Sequence, residues 1–100
     1  MMSRGPDAAT LLERRLRIAA EAVGVTIVIT ASDWTRWASA TFNGAKHRLT
    51  VTSGDAGFAA WLATLGEAEL PLRGHLVADV AVARVVAGVA DLDVLTVEER

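Results

Sequence analysis

Cysteine is absent from this 100-residue chain, and so is tyrosine. The first absence removes disulfides, thiolate metal sites and thiol nucleophiles. The second removes a phenolic proton donor. Aromatic residues are few, three Trp and two Phe, and lysine occurs once, at Lys46, against nine arginines. Long apolar runs are missing as well. The longest stretches without a charged residue, 22–32 and 56–66, are eleven residues each, well short of the roughly 20 a bilayer-crossing helix needs. No membrane association is expected. The first residues form no unbroken apolar segment, and Asp7, Glu13 and Glu21 do not suit an acid-poor transit peptide. A cytoplasmic location is the expectation.

What is present is alanine. Residues of apolar type make up 52% of the chain, and alanine alone supplies 19 of them, with 12 Val, 11 Leu and 3 Ile. Alanine removes little area from water, so the drive to fold rests on the branched aliphatics, Trp and Phe. A chain of 10.6 kDa buries roughly 64% of its extended surface on folding, enough for one modest core. The whole chain, 1–100, therefore reads as a single domain, with 1–6 as a loose lead-in. A core this thin in large side chains gains from a partner, which makes a homodimer the expected state.

Charge is unevenly distributed. Residues 1–50 carry net +3 and residues 51–100 net −5, which together give the overall −2. The two halves attract, either within one fold or across a dimer.

Periodicity predicts a helix from about residue 8 to Val23, with Asp7 as N-cap and Thr10-Leu11-Leu12-Glu13 as an alternative capping box. Its apolar arc is wide and contains Arg15, which either snorkels to water or marks a second contact edge. Gly24 ends it. Residues 25–30 are β-branched throughout and predict a strand with Val25, Ile27 and Ile29 inward. Ala31-Ser32-Asp33 reads as a turn. Asn43-Gly44 predicts a two-residue hairpin turn between strands 37–42 and 45–52. That register sets Ala40 opposite His47 and Ala38 opposite Leu49, leaving Lys46 and Arg48 on a polar face with Trp37. Ser53 or Asp55 caps a second helix with Phe58, Ala59, Leu62 and Leu65 as its stripe and Trp61 at the edge. Residues 76–97 predict a second hairpin around a three-residue loop, Val86-Ala87-Gly88. This puts Leu76, Ala78, Val80 and Val82 on one face and Asp79, Asp91 and Asp93 on the other. The expected architecture is α+β: two helices packed on one face of a mostly antiparallel five-stranded sheet, in the order α-β-β-β-α-β-β.

Catalytic parts are scarce. None of the serines sits on a nucleophile elbow, His47 falls on the core face, and His75 begins a strand beside Gly74. The carboxylates of Asp79, Asp91 and Asp93 share a face, but hard cations favour more ligands on a looped backbone, so pairing with arginines is preferred. Gly54 and Gly57 flank a helix start, yet Asp55 stands where a phosphate would sit. No cofactor and no metal is expected, and the chain does not read as an enzyme.

Nucleic acid is not the expected partner, because the second helix has no Lys or Arg from Ser53 to Gly66 and the acidic half opposes a polyanion. Asp33-Trp34-Thr35-Arg36-Trp37 is the most suggestive segment, since two tryptophans three apart cannot share one face of a strand. The candidate interaction surface comprises Trp34, Arg36, Trp37, Lys46, Arg48, Asp79, Asp91 and Asp93. The leading expectation is a small non-catalytic interaction or adaptor domain that self-associates through its sheet. The alternatives are a small-molecule-binding domain with a pocket between helices and sheet near His47, and a nucleic-acid-binding module.

Overall fold

A computed structural model describes residues 7–99; the expected lead-in at 1–6 lies outside them. The chain runs α1 (Ala8–Glu21), β1 (Val28–Ala38), β2 (Asn43–Thr52), α2 (Phe58–Thr64), a 3-10 turn (Leu65–Glu67), β3 (His75–Val86) and β4 (Val89–Glu98). The strands form one antiparallel sheet in the order β1-β2-β4-β3. The α+β class stands, with a helix–sheet order of α-β-β-α-β-β and four strands instead of the expected five.

The missing strand has a physical cause. Residues 28–38 are one strand, and the polar Ala31-Ser32-Asp33 lies inside it. β1 is an edge strand exposed along nearly its whole length, so a turn-like composition is tolerated there. A register shift between Ile29 and Ala31 absorbs one residue and keeps Ile29 on the core side. Val25 and Ile27 are buried as expected, but in the connection that precedes the strand.

The first hairpin also turns elsewhere. Ala38 pairs with Asn43, so residues 39–42 form the loop and Asn43-Gly44 belongs to β2. Ser39 closes the loop, its N–H donating to the Phe42 carbonyl at 2.8 Å and its Oγ accepting from the Phe42 N–H at 3.1 Å. Gly44 is glycine for want of space. An added Cβ would fall on the Thr96 carbonyl oxygen and 2.7 Å from Trp37 Nε1. His47 consequently faces Trp34, and Leu49 faces Ser32, not the alanines expected opposite them.

In the second hairpin Val86 pairs with Val89, leaving a two-residue turn, Ala87-Gly88, with both φ positive (47° and 81°). A two-residue turn alone would set Val82 against Asp93. The register shift between Val82 and Arg84 prevents this and pairs Val82 with Leu92; a second shift follows between Val77 and Asp79. Such bulges insert one unpaired residue into a strand. The shift near Ala78 puts Leu76 opposite Val97, on the other face from Val80.

Both helices pack on the same side of the sheet. Leu12, Leu16 and Ala20 from α1 and Phe58, Trp61 and Leu62 from α2 form one core with Leu49, Val51, Val80, Leu92 and Val94. Asp7 caps α1 as expected, accepting from the Thr10 N–H at 2.9 Å, and the helix stops at Glu21, two residues short of Val23. Gly24 follows with φ 79°. Neither Ser53 nor Asp55 caps α2; Asp55 Oδ2 accepts from the Thr26 N–H at 2.7 Å, tying the helix entry to the end of the α1–β1 connection. Ala59 faces solvent, and Trp61 takes the expected place of Ala59 in the core. Arg15 is spent within the chain, its Nε donating to the Pro71 carbonyl at 3.0 Å. No helix among the described residues is long and apolar enough to cross a membrane.

Candidate functional site

Among the described residues nothing packs on the face of the sheet opposite the helices, the bare face. Strand alternation sends Ala45, His47, Leu49 and Val51 of β2 to the core and turns Lys46, Arg48 and Thr50 outward. β4 does the same, burying Ala90, Leu92, Val94 and Thr96 and turning Asp91, Asp93 and Leu95 outward. Because β2 pairs with β4, the basic and acidic strips lie side by side in the middle of this face.

They are bonded to each other. Arg48 Nε donates to Asp93 Oδ1 at 3.0 Å, and Thr50 Oγ1 donates to Asp91 Oδ1 at 2.9 Å. The opposite charges of the two chain halves therefore meet within one fold. Both members of the Arg48–Asp93 pair remain substantially exposed, at 74% and 43%, so the bond itself adds little to stability.

Apolar residues close the two ends of the bare face. At one end stand Val28, Val89 and Val86; at the other, Trp37, Val97 and Leu76. Val28, Leu76 and Val86 are each more than half exposed, at 57%, 54% and 55%. Trp37 lies over Gly44, which has no side chain to compete for the space, and its Nε1 is buried without a partner among the described residues. A shallow hollow of about 570 Å³ runs between the ends, lined by Asp33, Thr35, Lys46, Arg48, Asp79 and Asp93, among others.

Of the eight candidate interaction residues, Trp37, Lys46, Arg48, Asp79, Asp91 and Asp93 thus share one face. Trp34 and Arg36 are on the helix side, opposite His47 and Ala45, where Trp34 stays 50% exposed. Asp33, although part of the suggestive segment 33–37, and the rim residues Val28, Leu76, Val86 and Val89 were not among the candidate interaction residues. Asp33 was hidden by its turn-like neighbours, and Leu76 by the bulge that reverses its direction.

A second feature lies on the helix side, past the start of α1. There Asp7, Trp34, Arg36, His47, His75 and Glu98 surround a cavity of about 300 Å³. His47 is 3% exposed. Its Nε2 lies 2.9 Å from Thr96 Oγ1, which is itself within 3.5 Å of the Ala45 carbonyl. If the hydroxyl donates to that carbonyl, Nε2 carries the proton and Nδ1 is a lone pair. Nδ1 has no partner among the described residues. Burial holds the His47 pKa below its ordinary 6.5, against the opposing pull of Asp7 and, more weakly, Glu13; His75 pushes the same way as burial. Hydrogen bonds from Thr10 hold the Asp7 carboxyl below its usual range.

Comparison with known protein families, curated proteins and solved structures gives no match. Among the described residues no cluster of three or more His, Cys, Asp or Glu is arranged to hold a metal ion. Asp79 pairs with Leu95, while Asp91 and Asp93 face Arg84 and Ala81, so the three carboxylates do not converge.

Proposed function

We propose that the domain is a small, non-catalytic interaction module that self-associates through the bare face of its sheet. The observation that carries this reading is an uncovered four-stranded face with exposed valine and leucine at both ends and paired charges between them. Antiparallel sheets do expose one face to water, but that face is ordinarily polar throughout. Here the plan area is roughly 19 Å by 33 Å for four strands of ten residues. Two such faces meeting would bury about 1,200 Å², the low end for a specific interface. A second copy is the occupant that fits, because the face carries both signs of charge, Lys46, Arg48 and Arg84 against four aspartates, and apolar rims on both sides. A polyanion fits less well, since Lys46 and Arg48 share the surface with Asp33, Asp79, Asp91 and Asp93.

Light scattering on variants tests the reading. Leu76→Asp and Val86→Asp, on the bare face, are expected to give the monomer mass where the unaltered chain gives twice 10.6 kDa. Val23→Asp, on the opposite side and 64% exposed, is expected to leave the dimer intact. Equal masses for all four proteins would remove the proposal.

The cavity beside His47 supports a second reading, a small ligand held between α1 and the sheet. Its volume is at the lower limit of ligand pockets. A cytoplasmic setting is part of the same proposal.

A further inference from the structure

The strand order constrains how two bare faces can meet. Sheets that pack face to face keep their strands within about 30° of each other. A two-fold axis in the plane of such an interface must then run close to the strand direction or nearly across it. The two choices place different residues in opposition.

An axis across the strands reverses the rows and sets each strand over its own copy. The middle row is Asp33, Arg48, Asp93 and Ala81. Under that axis Asp33 faces Asp33, Arg48 faces Arg48 and Asp93 faces Asp93 of the second copy, three like-charge contacts at the centre, against which stand only the Arg84–Asp79 contacts of the edge strands.

An axis along the strands, between β2 and β4, keeps the rows and exchanges the strands. β2 then lies over β4 of the second copy and β1 over β3. Arg48 faces Asp93 twice, once from each side, and alternates with the Arg48–Asp93 bond already present in each chain. Thr50 faces Asp91, Thr35 faces Asp79 and Lys46 faces Leu95, so no like charges oppose. At the ends Val28 faces Val86 and Trp37 faces Leu76. The partner's charges arrive as part of ion pairs already formed, which lowers the cost of drying them.

We infer that the chain forms a face-to-face homodimer whose two-fold axis runs along the strands between β2 and β4. The inference rests on the self-association proposed above and adds its geometry. Repulsion between like charges selects this axis, and the apolar ends close it.

The absence of cysteine makes a cross-linking test clean. Asp33 and Ala81 lie in the middle row, where a 30° crossing displaces residues least. Within one chain they are three strand spacings apart, roughly 14 Å, beyond a bismaleimide spanning about 8 Å. Asp33→Cys and Ala81→Cys are prepared as separate proteins, mixed and treated with that reagent; denaturing electrophoresis reads the covalent product, and sedimentation reads the mass of each untreated sample. The expected product joins position 33 of one chain to position 81 of the other and forms only in the mixture. Thr35→Cys with Asp79→Cys, one row along, repeats the test if either first variant fails to fold. A dimer giving 33–33 or 81–81 products from single variants, or giving no product in either pair, overturns the axis and leaves self-association standing. A monomer at every concentration removes both.

Discussion

His47 is the residue whose ionisation the fold feels most. Its ring is buried against Thr96, one nitrogen lacks a partner, and burial depresses its pKa below 6.5. An unfolded histidine titrates at about 6.5. Between the two values the unfolded chain binds more protons than the folded one. Stability is therefore full above about pH 6.5, falls as pH drops toward the folded pKa and levels off beneath it, with a slope of at most about 1.4 kcal/mol per pH unit. The melting temperature is expected to fall between pH 7.5 and 5, and His47→Gln is expected to flatten that stretch. Asp7, also depressed, acts at lower pH, below about 4, so the two windows separate. An identical pH slope in variant and parent would contradict the assignment. The sequence did place His47 inward, by alternation with Lys46 and Arg48. It could not show Thr96 as the partner, which lies 49 residues away.

At the scale of elements, the two hairpins show where local chemistry was legible and where tertiary contact overrode it. Ala87-Gly88 lies in a turn that demands positive φ at both positions, and Ala87 adopts 47° despite its Cβ. That conformation costs a non-glycine residue roughly 1–2 kcal/mol. Ala87→Asn, which tolerates it better, is expected to raise stability by about 0.5–1 kcal/mol in urea unfolding; a lower midpoint would contradict the turn type. Asn43-Gly44 carries the stronger turn signal, yet its glycine is in a strand beneath Trp37 and beside the Thr96 carbonyl. Gly44→Ala is expected to cost about 1–3 kcal/mol through overcrowding. An unchanged urea midpoint would show that the indole and carbonyl yield freely. The Asp7 cap, the inward faces of β2 and β4 and the common face of Asp79, Asp91 and Asp93 were all readable from spacing. The length of β1 was not, because an exposed edge strand tolerates the composition of a turn. Nor were the bulges of β3, because alternation alone has no room for an extra residue.

For the whole molecule, the decisive fact is strand order, which no local pattern reveals. Placing β2 beside β4 joins the two charge-biased halves of the chain at the centre of the sheet and pairs Arg48 with Asp93. Alternation and register along the strands put six of the eight candidate residues on one face and Trp34 and Arg36 on the other. With both helices on the opposite side, that face has no cover among the described residues. The alanine-rich composition is consistent with this economy: one side of the sheet is filled by the chain's larger apolar residues, and the other is the side proposed to take a second copy. Sedimentation velocity over a concentration series, at low and at high sodium chloride, tests this most directly. The account predicts a species of twice 10.6 kDa at low salt that weakens as salt screens the central charges. A chain that sediments at 10.6 kDa throughout would contradict it.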